Sequence, residues 1–456
     1  MLPKRKIEQI INYALNKGAD YAEVFLENSK KKIIKLSDSK IDNINNENLY
    51  GIGVRLAYKN ETYYVYSNDL KIKNILNLID NIKILGSKKK LENINLPRLK
   101  KYHDDIKIPH DSYSSKYNLL HELDRYTRSL SDKVSQVEIS FLEYDQKVIV
   151  ASSDNVYKED NRILTRMYFY VYVKENDITE SAYYAPGAKQ GYEFLDKLKL
   201  KEIVQSLTES AIKKLDSISC PGGNMPVIIG NGFGGVIFHE ACGHGLEATS
   251  VASNESIFSG KLNQMIASPI VTLVDDATIK GSWGSSNIDD EGSIAQKNIL
   301  IKDGKLNKYL IDKLNNRTMK QKISSSGRRE NYKVAPTSRM SNTYLAPRKD
   351  KISDMIKSIE YGLYAKGMGG GSVNPHTGDF NFAVNEAYLI EKGKITSPVK
   401  GASLIGNSTE ILKEISMISD DLALESGYCG SVSGSVPVTV GEPTIKVDNI
   451  LVGGVK

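Results

Sequence analysis

His239, Glu240 and His244 stand within six residues of one another, in a chain with only 6 His in all. Two imidazoles and a carboxylate in so short a span are the parts that a zinc hydrolase needs. The rings hold the ion, a carboxylate beside it takes a proton from bound water, and one coordination position stays open. The common zinc helix spaces its His four apart, so that both lie on one face. Here the spacing is five, and at about 100° per residue the second ring is turned about 140° from the first on an ideal α-helix. One ion cannot be shared across that angle, so the helix must deform. A π-type turn, with i to i+5 hydrogen bonds, brings the side chains back to one face. Gly243, directly before the second His, supplies backbone freedom for it. A widened or broken turn is therefore expected between His239 and His244.

A catalytic zinc usually takes three protein ligands, and the third is open among Cys429, Cys242, Cys220, Glu247 and His376. Glu247 could instead orient an imidazole from behind. The same segment also offers a dinucleotide fingerprint in Gly230, Gly232 and Gly235 after a strand. That reading needs an apolar helix, a second strand and an acidic residue about 20 positions on, and this helix carries His and Glu instead. Arg339, Tyr428 and His376 are candidate donors to an oxyanion. Asp289, Asp290 and Glu291 beside Gly292 read as a hard-cation site or an exposed turn. Trp283, the single Trp, lines a cleft or packs. His376 reads as a loop residue, and His103, His110 and His121 as structural or solvated.

The elements that must position these residues follow from periodicity. Apolar residues at helical spacing over 5–15 give an opening helix that Gly18 ends. Short β-branched and aromatic runs at 22–26, 32–36, 50–58 and 62–66 read as an antiparallel meander. A helix over 70–84 closes the unit, and Lys88–Lys90 with Pro97 and Pro109 reads as a linker. Residues 115–217 repeat the order, with a helix at 115–130, strands at 134–142, 147–151 and 163–174, and a helix at 198–215. Beyond Cys220 the chain is Gly-rich with many short strand-like runs. The expected fold class is α+β: two N-terminal helix and antiparallel-strand regions, 1–95 and 110–217, then a β-rich domain, 220–456, carrying the metal-binding helix.

The 456 residues suit two or three domains. The 3 Cys cannot form a disulfide framework, no signal-peptide pattern opens the chain, and a reducing cytoplasm fits best. No apolar run approaches the roughly 18 residues of a membrane span. Residues 1–100 hold 19 Lys and Arg against 11 Asp and Glu, within a net charge of +6. Interleaved Ile and Asn mark a solvated face there, and no nucleic-acid motif accompanies it. No nucleic-acid or membrane partner is expected.

Five blocks, 234–247, 289–292, 339–343, 369–380 and 429–443, together resemble the TldD/PmbA metalloprotease family, in the family's order. The His-Glu-x-x-x-His segment makes the chain similar to the catalytic TldD type rather than the partner type, PmbA or TldE. The resemblance implies zinc held by His239, His244 and Cys429, and Glu240 as general base. It also implies peptide hydrolysis on unfolded or small peptides inside a dimer cavity, in a homodimer or with a PmbA/TldE-type subunit. Ser431 departs from the family's usual Lys after Cys-Gly. The alternative reading is a non-catalytic, zinc-stabilised subunit that binds peptides or a partner.

Overall fold

Ile7, Ile10, Ile11, Ala14 and Leu15 recur at helical period, and Lys4–Asn16 is a helix that buries all five. Helix Ile72–Asp80 joins it through Ile75 and Ile79, and both pack on Val24, Leu26, Val54 and Leu56 of the strands beneath. The computed structural model describes residues 1–83, 93–103, 113–374 and 376–454. Lys88–Lys90, Pro109 and His110 lie outside the described residues.

The short runs of the meander are parts of three longer strands, Tyr21–Ser37, Lys40–Tyr58 and Glu61–Ser67. Residues 43–48 are exposed and, Ile44 apart, polar, yet still pair with 30–35, so the backbone ladder carries the strand where side-chain patterning gives no signal. The runs at 134–142 and 147–151 likewise fuse into Val134–Ser152. That strand lies antiparallel to Tyr21–Ser37, from Glu23↔Ser152 to Ser37↔Glu138. The strands of both N-terminal regions therefore form one eight-stranded sheet. Helices Tyr113–Ser129 and Leu200–Leu215 cover the far half of the same face, over Ile34, Leu36, Ile139 and Phe169.

The opposite face presents Glu23, Phe25 and Glu27, all buried against the C-terminal part. Arg55 bonds Glu23 at 2.8 Å and Glu291 at 2.5 Å, Arg329 reaches Glu23 at 2.7 Å, and Arg162 bonds Asp290 at 2.7 Å. Asp289, Asp290 and Glu291 are at most 2% exposed, so they form neither an exposed turn nor a free cation cradle. They are the C-terminal half of an ionic seam. Asp289 accepts backbone N–H bonds from Glu291, Ser293 and Gly327. Burial first, and the Glu291 charge next, push its carboxyl up to about 8.

Two outcomes follow for the seam. Arg55→Met leaves buried Glu291 without its guanidinium partner and Glu23 with Arg329 alone, and urea unfolding should show a loss of about 3–5 kcal/mol. Burial opposes ionisation of Glu23, but Arg55, Arg329 and Lys313 together hold it at about 2, below the roughly 4.3 of a free Glu. Its folded pKa is depressed, so its stabilisation is complete above the free value and disappears as pH falls through about 2. Glu23→Gln should flatten the acid limb of a stability-against-pH curve in that window.

The C-terminal part is β-rich. Five strands pair in a closed ring: Tyr361–Val373, Gly223–Ile229, Ile445–Gly453, Ser403–Asn407 and Asp379–Glu391, which returns to the first. Beside it lies a six-stranded sheet that ends in the hairpin Gly434–Glu442 and Ala423–Ser431. A shared core of Val227, Ile237, Phe238, Leu273, Leu345 and Val440 fills the space between. The overall class is α+β, with its longer helices on the N-terminal sheet and short ones in the C-terminal part. Among the described residues, no helix is long and apolar enough to cross a membrane.

Candidate metal centre

Strand Gly223–Ile229 runs into a turn at Gly232, whose φ of 95° favours glycine. The chain then coils in four short pieces: a 3₁₀ turn at Phe233–Gly235, an α turn at Val236–Phe238, a π turn at His239–Gly243 and a 3₁₀ turn at His244–Leu246. The π turn falls where the five-residue spacing requires it. Ile237, Phe238, Ala241, Cys242 and Leu246 anchor the coil in the core, and Glu240 stays partly exposed. The two rings stand 5.3 Å apart at 88°.

Gly243 does not play the part expected of it. Its φ of −56° and ψ of −51° are ordinary helical values, so no special backbone freedom is used. A Cβ there would instead overlap the Met340 sulfur. Glycine is required by close approach. Gly243→Ala should therefore push Met340 aside, cost about 1–3 kcal/mol, and lower the melting temperature.

Cys429 comes from the edge strand Ala423–Ser431. Its Sγ lies 3.2 Å from His244 Nε2. The ligand atoms of His239, His244 and Cys429 all fall within 4.8 Å of one another. Burial alone would raise the Cys429 thiol, but the His239 and His244 rings outweigh it and hold the pKa at about 4. Behind His244, Glu247 Oε2 accepts from Nδ1 at 3.1 Å. Burial disfavours protonation of His244, yet Glu247 and Cys429 push it well above the usual value. Glu240 Oε2 is 3.7 Å from His244 Nε2, on the open side.

His239 is 1% exposed, and neither ring nitrogen makes a hydrogen bond of acceptable geometry, close as the ring is to Cys429. An orphaned buried polar atom costs about 1–3 kcal/mol. Two nitrogens and a thiolate converging around such a ring are a donor set that suits a divalent cation of intermediate softness.

The other third-ligand candidates stay apart from this group. Cys242 is buried in the core, where desolvation pushes its thiol up. Cys220 is buried elsewhere, its thiol pushed up to about 11. His376 sits exposed on a turn. Arg339 is fully buried and already donates to the Cys429 carbonyl, Ser433 Oγ and the Gly434 carbonyl. It is therefore not free to serve an oxyanion. Trp283 packs, donating to the Gly427 carbonyl at 2.9 Å and meeting Tyr428 edge-on at 5.5 Å. Nothing in the spacing gave away the Gly243–Met340 contact. Its only trace was a glycine inside a helical run.

Family models for the PmbA/TldA metallopeptidase domain 1, central domain and C-terminal domain match residues 22–84, 106–215 and 222–454. The chain belongs to the PmbA/TldD metallopeptidase family. A metalloprotease TldD homolog of Haemophilus influenzae is 35% identical over 99% of this chain and 97% of its own. A metalloprotease of Methanocaldococcus jannaschii is 31% identical over 96% and 97%. A zinc metalloprotease TldD homolog of Saccharolobus solfataricus is 27% identical over 80% and 82%. In fold, TldE of Thermococcus kodakarensis matches with a TM-score of 0.76 and 18% identity, covering 98% of this chain and 100% of that one. This PmbA/TldD member keeps its clustered His239, His244 and Cys429 on a scaffold shared with that structure.

Proposed function

We propose that the chain is a zinc-dependent peptidase that hydrolyses unfolded or small peptides within a dimer cavity. The observation that carries this reading is the orphaned His239 ring facing a thiolate and a second ring. His239, His244 and Cys429 hold the ion, and Glu240 is the general base. Zinc at this place supplies positive charge that acidifies a bound water and polarises a peptide carbonyl. Glu240, partly exposed beside His244, accepts the proton of the attacking water and passes it to the leaving amine. Glu247 fixes the tautomer of His244 by accepting from Nδ1, which leaves Nε2 for the ion.

The relatives' names support a metalloprotease, and zinc stands in the name of the Saccharolobus protein. The TldE-like fold supports a partner of that type or a second copy of this chain. In this reading 1–95 and 110–217 are the two N-terminal α+β regions and 220–456 is the catalytic metal-binding domain, in a cytoplasmic enzyme. The test is a metal assay with a digest of an unfolded protein. Stoichiometric zinc and cleavage abolished by a chelator are expected, and cleavage that persists without metal would overturn the reading.

A further inference from the structure

The ligands come from two separate pieces of the protein, the coil at 239–244 and the edge hairpin that carries Cys429. Something must hold them in register, because Cys429 sits on the outermost strand of its sheet, which has backbone pairing on one side only. One side chain reaches both the hairpin and Glu247, the carboxylate behind His244. Arg339, 0% exposed, donates Nη2 to the Cys429 carbonyl and Nη1 to Ser433 Oγ at 3.0 Å and the Gly434 carbonyl at 2.8 Å. Its Nε lies 3.9 Å from Glu247 Oε1, an ion-pair distance, and neither atom has a hydrogen-bond partner. The other oxygen of Glu247 is the one that orients His244.

We propose that Arg339 is the positioning residue of the metal centre, gripping the peptide of Cys429 with one end of its guanidinium and balancing the Glu247 charge behind His244 with the other. The inference rests on the zinc-site reading above. Three acceptors on one planar fork fix the hairpin tip, which a point charge on a flexible stem cannot do. The carboxylate that steers His244 is 4% exposed, and without a cation beside it that charge would be uncompensated. Arg339 thus acts through its neighbours and touches no reacting atom.

Arg328 provides the control. It ties the hairpin to the segment that packs on Gly243, donating to the Met340 and Pro437 carbonyls, but bonds neither Cys429 nor Glu247. Full-length Arg339→Met, Arg339→Lys and Arg328→Met are loaded with zinc, and affinity is measured by chelator competition. Cobalt-loaded samples are compared for the sulfur-to-metal charge-transfer band. Arg339→Met should bind zinc about 10–100-fold more weakly, as loss of a residue that orients ligands does, with a weakened cobalt–sulfur band. Arg339→Lys, which restores charge but not the fork, should recover only part of the affinity. It carries the comparison alone if the Met variant does not fold. Arg328→Met should lower the melting temperature and leave zinc affinity within about threefold.

Wild-type affinity and an unchanged band in the Arg339 variants would overturn the proposal, as would an equal loss in Arg328→Met, which would make both arginines mere clasps. Parent protein that binds zinc but cuts no peptide would defeat the peptidase reading and leave this one standing. Parent protein that binds no metal would defeat both.

Discussion

Cys429→Ala should yield a folded protein that no longer retains zinc. The sulfur is one of three donors within 4.8 Å, and the only anionic one among them, held as thiolate by the rings around it. Its removal leaves two imidazoles, with no charge to match a divalent ion. The affinity loss should exceed the roughly 10–100-fold that follows removal of a residue merely supporting a ligand. Folding should survive, because Cys429 packs only in a small cluster with Val436 and Val438, apart from the main core. Circular dichroism and metal analysis on one sample test both halves. Stoichiometric zinc of unchanged affinity in that variant would remove the sulfur from the site.

Glu240→Gln should separate binding from chemistry. The amide keeps the size of the carboxylate and cannot take a proton, so kcat on an unfolded protein should fall about 10²- to 10⁴-fold. Zinc content should not change. The side chain is 23% exposed, and a near-isosteric change at such a position costs within about 0.5 kcal/mol. Cleavage at the parental rate would exclude Glu240 as the base.

Parts of this site could be read from sequence because they are local. The five-residue step from His239 to His244 is a constraint on one turn, and a single physical argument about angle leads to the π geometry that is present. Cys429 is of another kind. It meets His244 across 185 residues, and spacing carries no information over that length; only the resemblance singled it out from Glu247. The seam failed for a related reason. Adjacent carboxylates beside a glycine look solvated until Arg55, Arg162 and Arg329, each far away in sequence, are folded onto them. Most N-terminal helices fell close to their expected bounds because their apolar period is local. The union of two strand sets into one sheet was hidden, since register between Tyr21–Ser37 and Val134–Ser152 is set by pairing and leaves no mark in either strand alone.

The separation of His244 from Cys429 has a temporal consequence. At about 5–20 residues per second, a ribosome that has just added the second histidine needs roughly 10–40 s more to supply the sulfur. Throughout that interval the nascent polypeptide holds the proposed ligand set incomplete, beside its own unfolded segments. On the proposed peptidase reading, any destructive potential toward neighbouring chains, or toward itself, is withheld until synthesis has passed the scaffold strands that shape the centre.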